Sequence, residues 1–310
     1  MLVNSSFESQ KAVYFQKLNI LLPDINDNII KAFKIACNLQ QEFVSKTLLH
    51  EKYPLTNDVF FDSYLLPLLK IFSVIPKKML HPGLEFLDVG CGEGRMMLLL
   101  KEFGLNCSGI DKYCFSGLNL QGEPIGPLRK RFFEEKNVKV ACLDVEKKPF
   151  PFSGSVFDLV MFEEVIEHFH NSPKMVLREI KRVIKPGGCV VVSTPNLVSL
   201  KKRMQLLKGN SIHWDLKRYY DYEFVAPPDL DYIGHTREFT LEEIVKMLKW
   251  AGFNNIIKAE TYDNQPGFSA KDLISHCLRL RGRRISSELQ HVCREIFPNL
   301  KENCLVVAQS

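Results

Sequence analysis

A short apolar run that leads directly into closely spaced glycines is the strongest constraint in this sequence. The run 84–89 is followed by Gly90, Gly92 and Gly94, and a helix-forming segment begins at Arg95. Glycine lets the backbone bend sharply and lets a ligand approach without meeting a Cβ atom. In α/β proteins, such a turn builds a nucleotide-type pocket at the carboxyl end of the first strand. The turn therefore predicts both a strand-to-helix connection and a cofactor site.

Composition is that of a globular protein with a sizeable core. The chain has 310 residues, of which 45% are hydrophobic and 25% are charged. No run approaches the about 18 apolar residues of a membrane span, and the first residues lack the pattern of a signal peptide. The nine cysteines are scattered without a Cys-x-x-Cys pair, which favours reduced thiols over disulfides or a zinc site. We therefore expect a cytoplasmic protein without a membrane span, and its net charge of +5 does not demand a nucleic-acid partner.

The pattern of apolar residues changes near residue 80. Residues 1–80 have apolar side chains at helical spacing, which predicts a helical N-terminal extension. Residues 81–310 alternate short β-branched runs with amphipathic helices, which predicts a parallel sheet. The predicted strands are 84–89, 106–110, 137–143, 156–161, 189–194, 255–260 and 304–308. Residues 197–238 form an irregular insert, and because long connections are more often functional than idle, we expect a lid over the substrate.

Two helices in the second half have clear boundary signals. Ser172 is placed to cap a helix that has Pro173 at its first position. Thr240 and Glu243 have the spacing of a capping box, which predicts a helix that starts there and ends at Gly252.

The spacing of the glycines separates this turn from a dinucleotide-binding turn. The dinucleotide pattern is Gly-x-Gly-x-x-Gly, whereas here the third glycine comes one residue early and Asp88 precedes the first. The run 87–95 resembles motif I of the class I S-adenosylmethionine (SAM) dependent methyltransferases. Further segments that resemble the family are 149–160, 163–168, 176–188, 193–196, 235–240, 250–253 and 304–308. The resemblance implies an α/β, Rossmann-like fold with a doubly wound, seven-stranded, mostly parallel sheet whose last strand is antiparallel.

The resemblance also implies SAM as the cofactor. Asp111 ends the second predicted strand roughly 20 residues beyond the first glycine, the offset at which an acid meets a ribose. Asp144 follows the third predicted strand and is placed to accept from the adenine amino group. The predicted cofactor-binding residues are Asp88, Gly90, Cys91, Gly92, Gly94, Asp111, Lys112, Asp144, Val145, Phe162 and Glu163.

Methyl transfer is an in-line displacement at the sulfonium methyl, so the enzyme mainly aligns the acceptor. A hydroxyl or amine acceptor can also need a general base. The predicted catalytic residues are His168, Glu164 and His235. The alternative interpretation of His168 is a helix-start residue that bonds a neighbouring loop.

A metal site is an alternative hypothesis for the same segment. Glu164, Glu167 and His168 would share one face of a helix, and His235 would complete a carboxylate and imidazole site for a divalent ion. The string 164–168 resembles that of metal-dependent small-RNA 2′-O-methyltransferases and of some quinone-pathway O-methyltransferases. It is also similar to that of many family members which use no metal, so we do not favour a metal.

The acceptor is the least constrained part of the prediction. Basic residues cluster at 201–203, 217–218 and 279–284, with Trp214 and three tyrosines near the first two clusters. These could stack bases and pair phosphates, or contact an anionic lipid or a sugar nucleotide, while a solvated helix face is the simplest interpretation. We expect methyl transfer to an oxygen of a small-molecule or lipid- or sugar-linked acceptor. The alternatives are a metal-dependent RNA 2′-O-methyltransferase and a non-catalytic module that binds SAM or a partner; a nicotinamide oxidoreductase fits least.

Overall fold

One sheet contains the seven strands that the computed structural model describes. In chain order they are β1 (Glu85–Val89), β2 (Asn106–Asp111), β3 (Lys139–Cys142), β4 (Phe157–Glu163), β5 (Ile184–Pro195), β6 (Asn255–Tyr262) and β7 (Asn303–Gln309). Their order across the sheet is β3-β2-β1-β4-β5-β7-β6. β7 runs antiparallel to both of its neighbours, while the other six strands share one direction. The predicted fold class is therefore confirmed.

The structure describes residues 27–47, 65–92, 94–112, 126–213, 216, 220, 234–263 and 298–310. Within these ranges the α-helices are α1 (Asp27–Thr47), α2 (Leu66–Val74), α3 (Arg95–Glu102), α4 (Gly126–Glu135), α5 (Lys174–Val183), α6 (Leu200–Leu207) and α7 (Leu241–Trp250). Short 3-10 turns occupy Lys77–Met79, Ile166–His168 and Pro298–Leu300. Among the described helices, none combines the length and apolar character needed to cross a membrane. The basic clusters predicted at 217–218 and 279–284 lie outside the described residues.

Apolar side chains cover both faces of the sheet. Successive residues of a strand point to opposite faces. Phe86 accordingly packs in a cluster with α1, α2 and α3, whereas Leu87 packs in a second cluster with α5 and α7. Both side chains are fully buried. The N-terminal helices thus share a core with the sheet, through residues such as Phe33 and Leu69.

The predicted helix boundaries are confirmed at α7 and shifted by one residue at α5. The Thr240 hydroxyl accepts from the Glu243 N–H at 3.3 Å, and the Glu243 carboxylate accepts from the Thr240 N–H at 2.9 Å, which completes the capping box. α5 begins at Lys174, with Pro173 in the capping position. The Ser172 hydroxyl accepts from the N–H of Lys174, two residues later, at 3.4 Å, as a capping side chain does.

The strand order decides where a site can form. β1 lies between β2 and β4, so the connection after β1 and the connection after β4 leave the sheet side by side. Ligands of open α/β sheets bind at the carboxyl ends of the strands, at such a change in strand order. The glycine turn follows β1, and the string 163–168 follows β4, so both predicted parts of the site meet at this edge.

Candidate functional site

The glycine turn after β1 is held in a left-handed backbone conformation. Gly90, Gly92 and Gly94 have φ angles of 81°, 49° and 72°. These values favour glycine because a Cβ atom would crowd the backbone. The N–H groups of Gly90 and Cys91 both donate to the Ile110 carbonyl, at 2.7 and 3.1 Å. The turn is therefore fixed to the end of β2.

Two of these glycines face different surroundings. A Cβ on Gly90 would lie 2.2 Å from a methyl carbon of Val165, so the turn packs directly against the segment that follows β4. A Cβ on Gly92 would meet no atom within 4 Å. Gly90 is thus required by protein packing, whereas Gly92 borders open space at the predicted cofactor site.

Asp111 links the glycine turn to the predicted ribose position. It is the last residue of β2, and its carboxylate accepts from the Gly92 N–H at 2.9 Å. Asp144 lies one connection further along, 3.4 Å from Lys112 and 3.3 Å from Lys147. Partial burial raises the pKa of Asp144, but the Glu146 N–H and the two lysines outweigh it, so that the pKa is lowered. Asp144 is therefore an ionised acceptor, as an adenine amino group would require.

Two carboxyl groups lie at the carboxyl ends of β1 and β4, beside the predicted cofactor site. Asp88 is buried, and this burial, together with the charge of Asp111, raises its pKa to about 7. Burial raises the pKa of Glu163 well above its ordinary value, and the charges of Glu164 and Asp88 add to the effect. Such a cluster favours a cationic ligand, because a nearby positive charge stabilises the ionised carboxylates. SAM carries a sulfonium and an ammonium group, so these residues fit it.

Two predicted cofactor residues face the core instead. The Phe162 side chain is fully buried, and its ring centroid lies 5.8 Å from that of Phe169. Val145 is buried in the same hydrophobic cluster. Any contact of Phe162 with a cofactor therefore has to come from its main chain.

The helix predicted for the string 164–168 does not form, so the shared helix face was wrong. Strand pairing continues through Glu163, and the Glu164 N–H donates to the Ser193 carbonyl at 2.9 Å. Glu164 then turns the chain with a φ of 51°. Only the single 3-10 turn Ile166–His168 follows. The string is therefore the end of a strand, a left-handed residue and one short turn.

The short turn nevertheless brings together three of the four predicted metal ligands. Ligand atoms of Glu167, His168 and His235 all lie within 4.8 Å of one another. His235 comes from the end of the insert, which is tied down because the N–H groups of Thr236 and Arg237 donate to the Glu167 carbonyl at 2.8 and 3.2 Å. The two imidazole rings stand edge to face, with centroids 5.0 Å apart.

Each histidine of this cluster has an acceptor at its Nδ1 atom. His235 Nδ1 lies 2.8 Å from the Glu238 carboxylate, and Lys202 pairs with the other oxygen of Glu238. His168 Nδ1 lies 3.3 Å from the Gly234 carbonyl. With the Nδ1 proton donated outward, Nε2 carries the lone pair, which is the arrangement of metal-bound imidazoles.

The buried Glu167 carboxylate is only half satisfied. One oxygen accepts from the Thr194 hydroxyl at 2.9 Å. The other is buried and accepts from no donor within the described ranges, while the Glu167 carboxyl, when protonated, hydrogen-bonds to the Glu164 carboxylate. Burial, reinforced by the charge of Glu164, raises the pKa of Glu167 well above its usual range. A divalent cation would supply the missing partner, so the residues fit a metal.

Glu164 lies beside this cluster and keeps contact with solvent. The Ser193 hydroxyl donates to its carboxylate at 3.4 Å and lies 3.0 Å from the Tyr262 hydroxyl. The protein packed around Glu164 raises its pKa, and His235 opposes that shift. Burial and the charges of Glu163 and Glu164 raise the pKa of Tyr262 well above its ordinary value.

Several site residues escaped the sequence prediction, namely Lys202, Glu238, Ser193, Thr194 and Tyr262. Ser193, Thr194 and Tyr262 lie at the carboxyl ends of β5 and β6, where a functional residue is expected, and this position was the available signal. Lys202 and Glu238 lie 36 positions apart in the irregular insert, and no local sequence pattern predicts that they pair.

A sequence profile for the methyltransferase domain matches residues 61–257. The chain belongs to the SAM-dependent methyltransferase family. A methyltransferase of this family therefore accounts for the glycine turn, the acids around it and the sheet order. The predicted family is confirmed, and the family implies SAM as the cofactor.

Curated relatives resemble part of the chain. It is 32% identical to a ubiquinone biosynthesis O-methyltransferase of Rickettsia akari over 149 residues, which are 47% of this chain and 55% of that protein. It is 30% identical over 168 residues to a Dechloromonas aromatica protein of the same name, covering 53% of this chain and 68% of that protein. A sterol 4-C-methyltransferase of Caenorhabditis elegans is 28% identical over 162 residues, 50% of this chain and 42% of that protein. The match thus spans about half of this chain and of most of these relatives.

Solved structures support the fold. A SAM-dependent methyltransferase from Mesorhizobium loti superposes with a TM-score of 0.50 at 15% identity, covering 80% of this chain and all of that chain. At this identity the likeness concerns the architecture alone.

Gly92→Ala tests the cofactor position directly. The added Cβ would enter open space in the free protein, so the variant should fold, with a cost of about 1 kcal/mol from its φ of 49°. If SAM lies beside the turn, the methyl group should weaken SAM binding at least about tenfold. Titration calorimetry with SAM and denaturant unfolding measure the two effects.

Gly83→Ala is the matched control. Gly83 has a φ of 82° and would also place its Cβ more than 4 Å from any atom, but it precedes β1 at the opposite end of the strand. It should lose similar stability and bind SAM normally. Unchanged SAM affinity in Gly92→Ala would contradict the assignment.

Proposed function

We propose that this protein transfers a methyl group from SAM to a hydroxyl oxygen of a small-molecule acceptor. One contact carries the proposal: Gly90 of the donor turn packs against Val165, inside the string that supplies Glu164, Glu167 and His168. A donor held by the turn would therefore meet an acceptor held by the carboxylate and imidazole cluster. Direct neighbourhood of this kind is what an in-line displacement needs.

The chain provides candidate groups for the acceptor proton. Glu164 keeps contact with solvent, so an acceptor can reach its carboxylate, which is a candidate to accept the hydroxyl proton. Its contact with Ser193 continues to Tyr262, which extends a hydrogen-bonded chain away from the site. His168 and His235 flank the same space as alternative bases.

We further propose that Glu167, His168 and His235 hold a divalent cation. Support comes from the grouping of their ligand atoms, the unpartnered oxygen of Glu167 and the acceptors at both Nδ1 atoms. When bound, such an ion would lower the pKa of an acceptor hydroxyl and orient its oxygen. Mixed carboxylate and imidazole ligands suit hard or borderline divalent ions.

Two of the three relatives have names that agree with an oxygen acceptor. The Rickettsia akari and Dechloromonas aromatica proteins are named for O-methylation in ubiquinone biosynthesis. The Caenorhabditis elegans relative is named for methylation at carbon, on a sterol. The two O-methyltransferase names favour a hydroxyl oxygen as the acceptor, and the Glu–His cluster supplies candidate groups for the proton of that hydroxyl.

Transfer of an isotopically labelled methyl group tests the proposed acceptor class. The protein is incubated with labelled SAM and cell extract, and label is measured in the small-molecule, lipid, RNA and protein fractions. We expect oxygen-linked label in the small-molecule or lipid fraction, and at least about tenfold less of it with Gly92→Ala when SAM is well below its dissociation constant. Label in RNA would contradict the acceptor class, and SAM binding without any transfer would identify a non-catalytic module.

Metal binding can be measured without an acceptor. Titration of the metal-free protein with Mn²⁺, followed by electron paramagnetic resonance, should show one bound ion that Glu167→Gln removes. Glu238→Gln should weaken binding roughly 10- to 100-fold, because Glu238 orients His235 from outside the ligand set. SAM affinity should not change in either variant.

His170→Ala provides the control for the metal variants. His170 lies two positions from His168 but is exposed and outside the cluster. It should bind Mn²⁺ as the wild type does. The metal proposal fails if Glu167→Gln retains wild-type Mn²⁺ binding.

A further inference from the structure

Helix α6 presents two leucines to solvent at its carboxyl end. Leu206 is 57% exposed and Leu207 is 81% exposed. Leu216 and Tyr220, further along the same insert, are 76% and 84% exposed. These four account for half of the eight large exposed hydrophobic side chains among the described residues. Leu206 and Leu207 are adjacent at the end of α6, and exposed apolar side chains that lie together indicate an interaction surface.

The same helix carries positive charge without any negative charge. Lys201, Arg203 and Lys208 are exposed, and the sequence contains no aspartate or glutamate between residues 180 and 214. Within the part of the chain that the structure describes, no carboxylate pairs with these three side chains. The surface is therefore both basic and apolar.

The inward face of α6 is anchored at the candidate site. Lys202 pairs with Glu238 and donates to the Asn196 carbonyl at 3.2 Å, and Glu238 contacts His235. Leu207 follows five positions later, which places it on the far side of an α-helix from Lys202. Leu207 therefore points away from the side of α6 that is fixed beside the site, while Leu206, four positions after Lys202, lies closer to that side at the end of the helix and is still 57% exposed.

We propose that α6 binds an anionic lipid surface. Leu206 and Leu207 would insert at the level of the lipid head groups, while Lys201, Arg203 and Lys208 would contact lipid phosphates. The positive charge of α6 favours an anionic surface. The two adjacent leucines favour a lipid over a nucleic acid, because a nucleic-acid backbone offers leucine side chains no apolar phase to enter. Bound in this way, the protein would take an apolar acceptor directly from the membrane. Binding of α6 to lipid does not depend on the proposed methyl transfer.

Vesicle co-sedimentation of the full chain tests this surface. We expect binding to vesicles of phosphatidylcholine mixed with phosphatidylglycerol, weakened by salt, and no binding to phosphatidylcholine alone. The double variant L206S/L207S should bind at least about tenfold more weakly because it loses apolar insertion. K201E/K208E should lose at least about tenfold through repulsion. Since all four side chains are exposed, thermal unfolding should match the wild type.

Two matched variants serve as controls. Trp250→Ser removes an apolar side chain from α7 and not from α6. Trp250 is 81% exposed, the same fraction as Leu207. K174E/K249E makes the same change in net charge at exposed positions of α5 and α7. Both should bind anionic vesicles normally. The proposal is overturned if the wild type does not bind anionic vesicles, or if the control variants lose as much vesicle affinity as the α6 variants. It is also overturned if L206S/L207S binds vesicles normally while K201E/K208E loses binding to both vesicles and a single-stranded oligonucleotide, because the surface would then recognise phosphates alone.

Discussion

Two main-chain hydrogen bonds at the end of β2 fix the rest of the site. The N–H groups of Gly90 and Cys91 share the Ile110 carbonyl, and the neighbouring Asp111 carboxylate accepts from Gly92. These contacts hold the turn in a left-handed conformation that only glycines adopt easily. They also set the distance to β4, because Val165 packs onto Gly90 without room for a Cβ atom. The proposed donor position, the acid predicted to bind the ribose and the Glu–His string therefore depend on one small junction.

The site concentrates buried carboxyl groups, which oppose folding when they are ionised. Burial raises the pKa values of Asp88, Glu163 and Glu167. Cationic ligands reverse this cost, since each nearby positive charge favours the ionised form. SAM beside Asp88 and Glu163, and a divalent ion beside Glu167, would each relieve a different part of the cluster. The buried carboxyl groups that lower the stability of the ligand-free protein would thus favour binding of SAM and of a divalent cation, the two proposed ligands.

The sequence predicted the sheet and the glycine turn because those features are local. A strand followed by Gly90, Gly92 and Gly94 needs only its own backbone, and the capping box of Thr240 is equally self-contained. The string 164–168 was misjudged because its spacing fits a helix, whereas pairing with β5 keeps Glu163 in the strand. The link from Lys202 to Glu238 depends on how the insert folds back, and no periodic pattern encodes that.

We propose that the donor lies over the glycine turn and faces the Glu–His cluster. A crystal structure of the protein with S-adenosylhomocysteine and Mn²⁺ tests this arrangement. We expect the ribose hydroxyls on Asp111, the sulfur beside the turn, and an anomalous Mn²⁺ peak among Glu167, His168 and His235. A nucleoside bound away from Asp111, or a sulfur that faces away from the cluster, would contradict it.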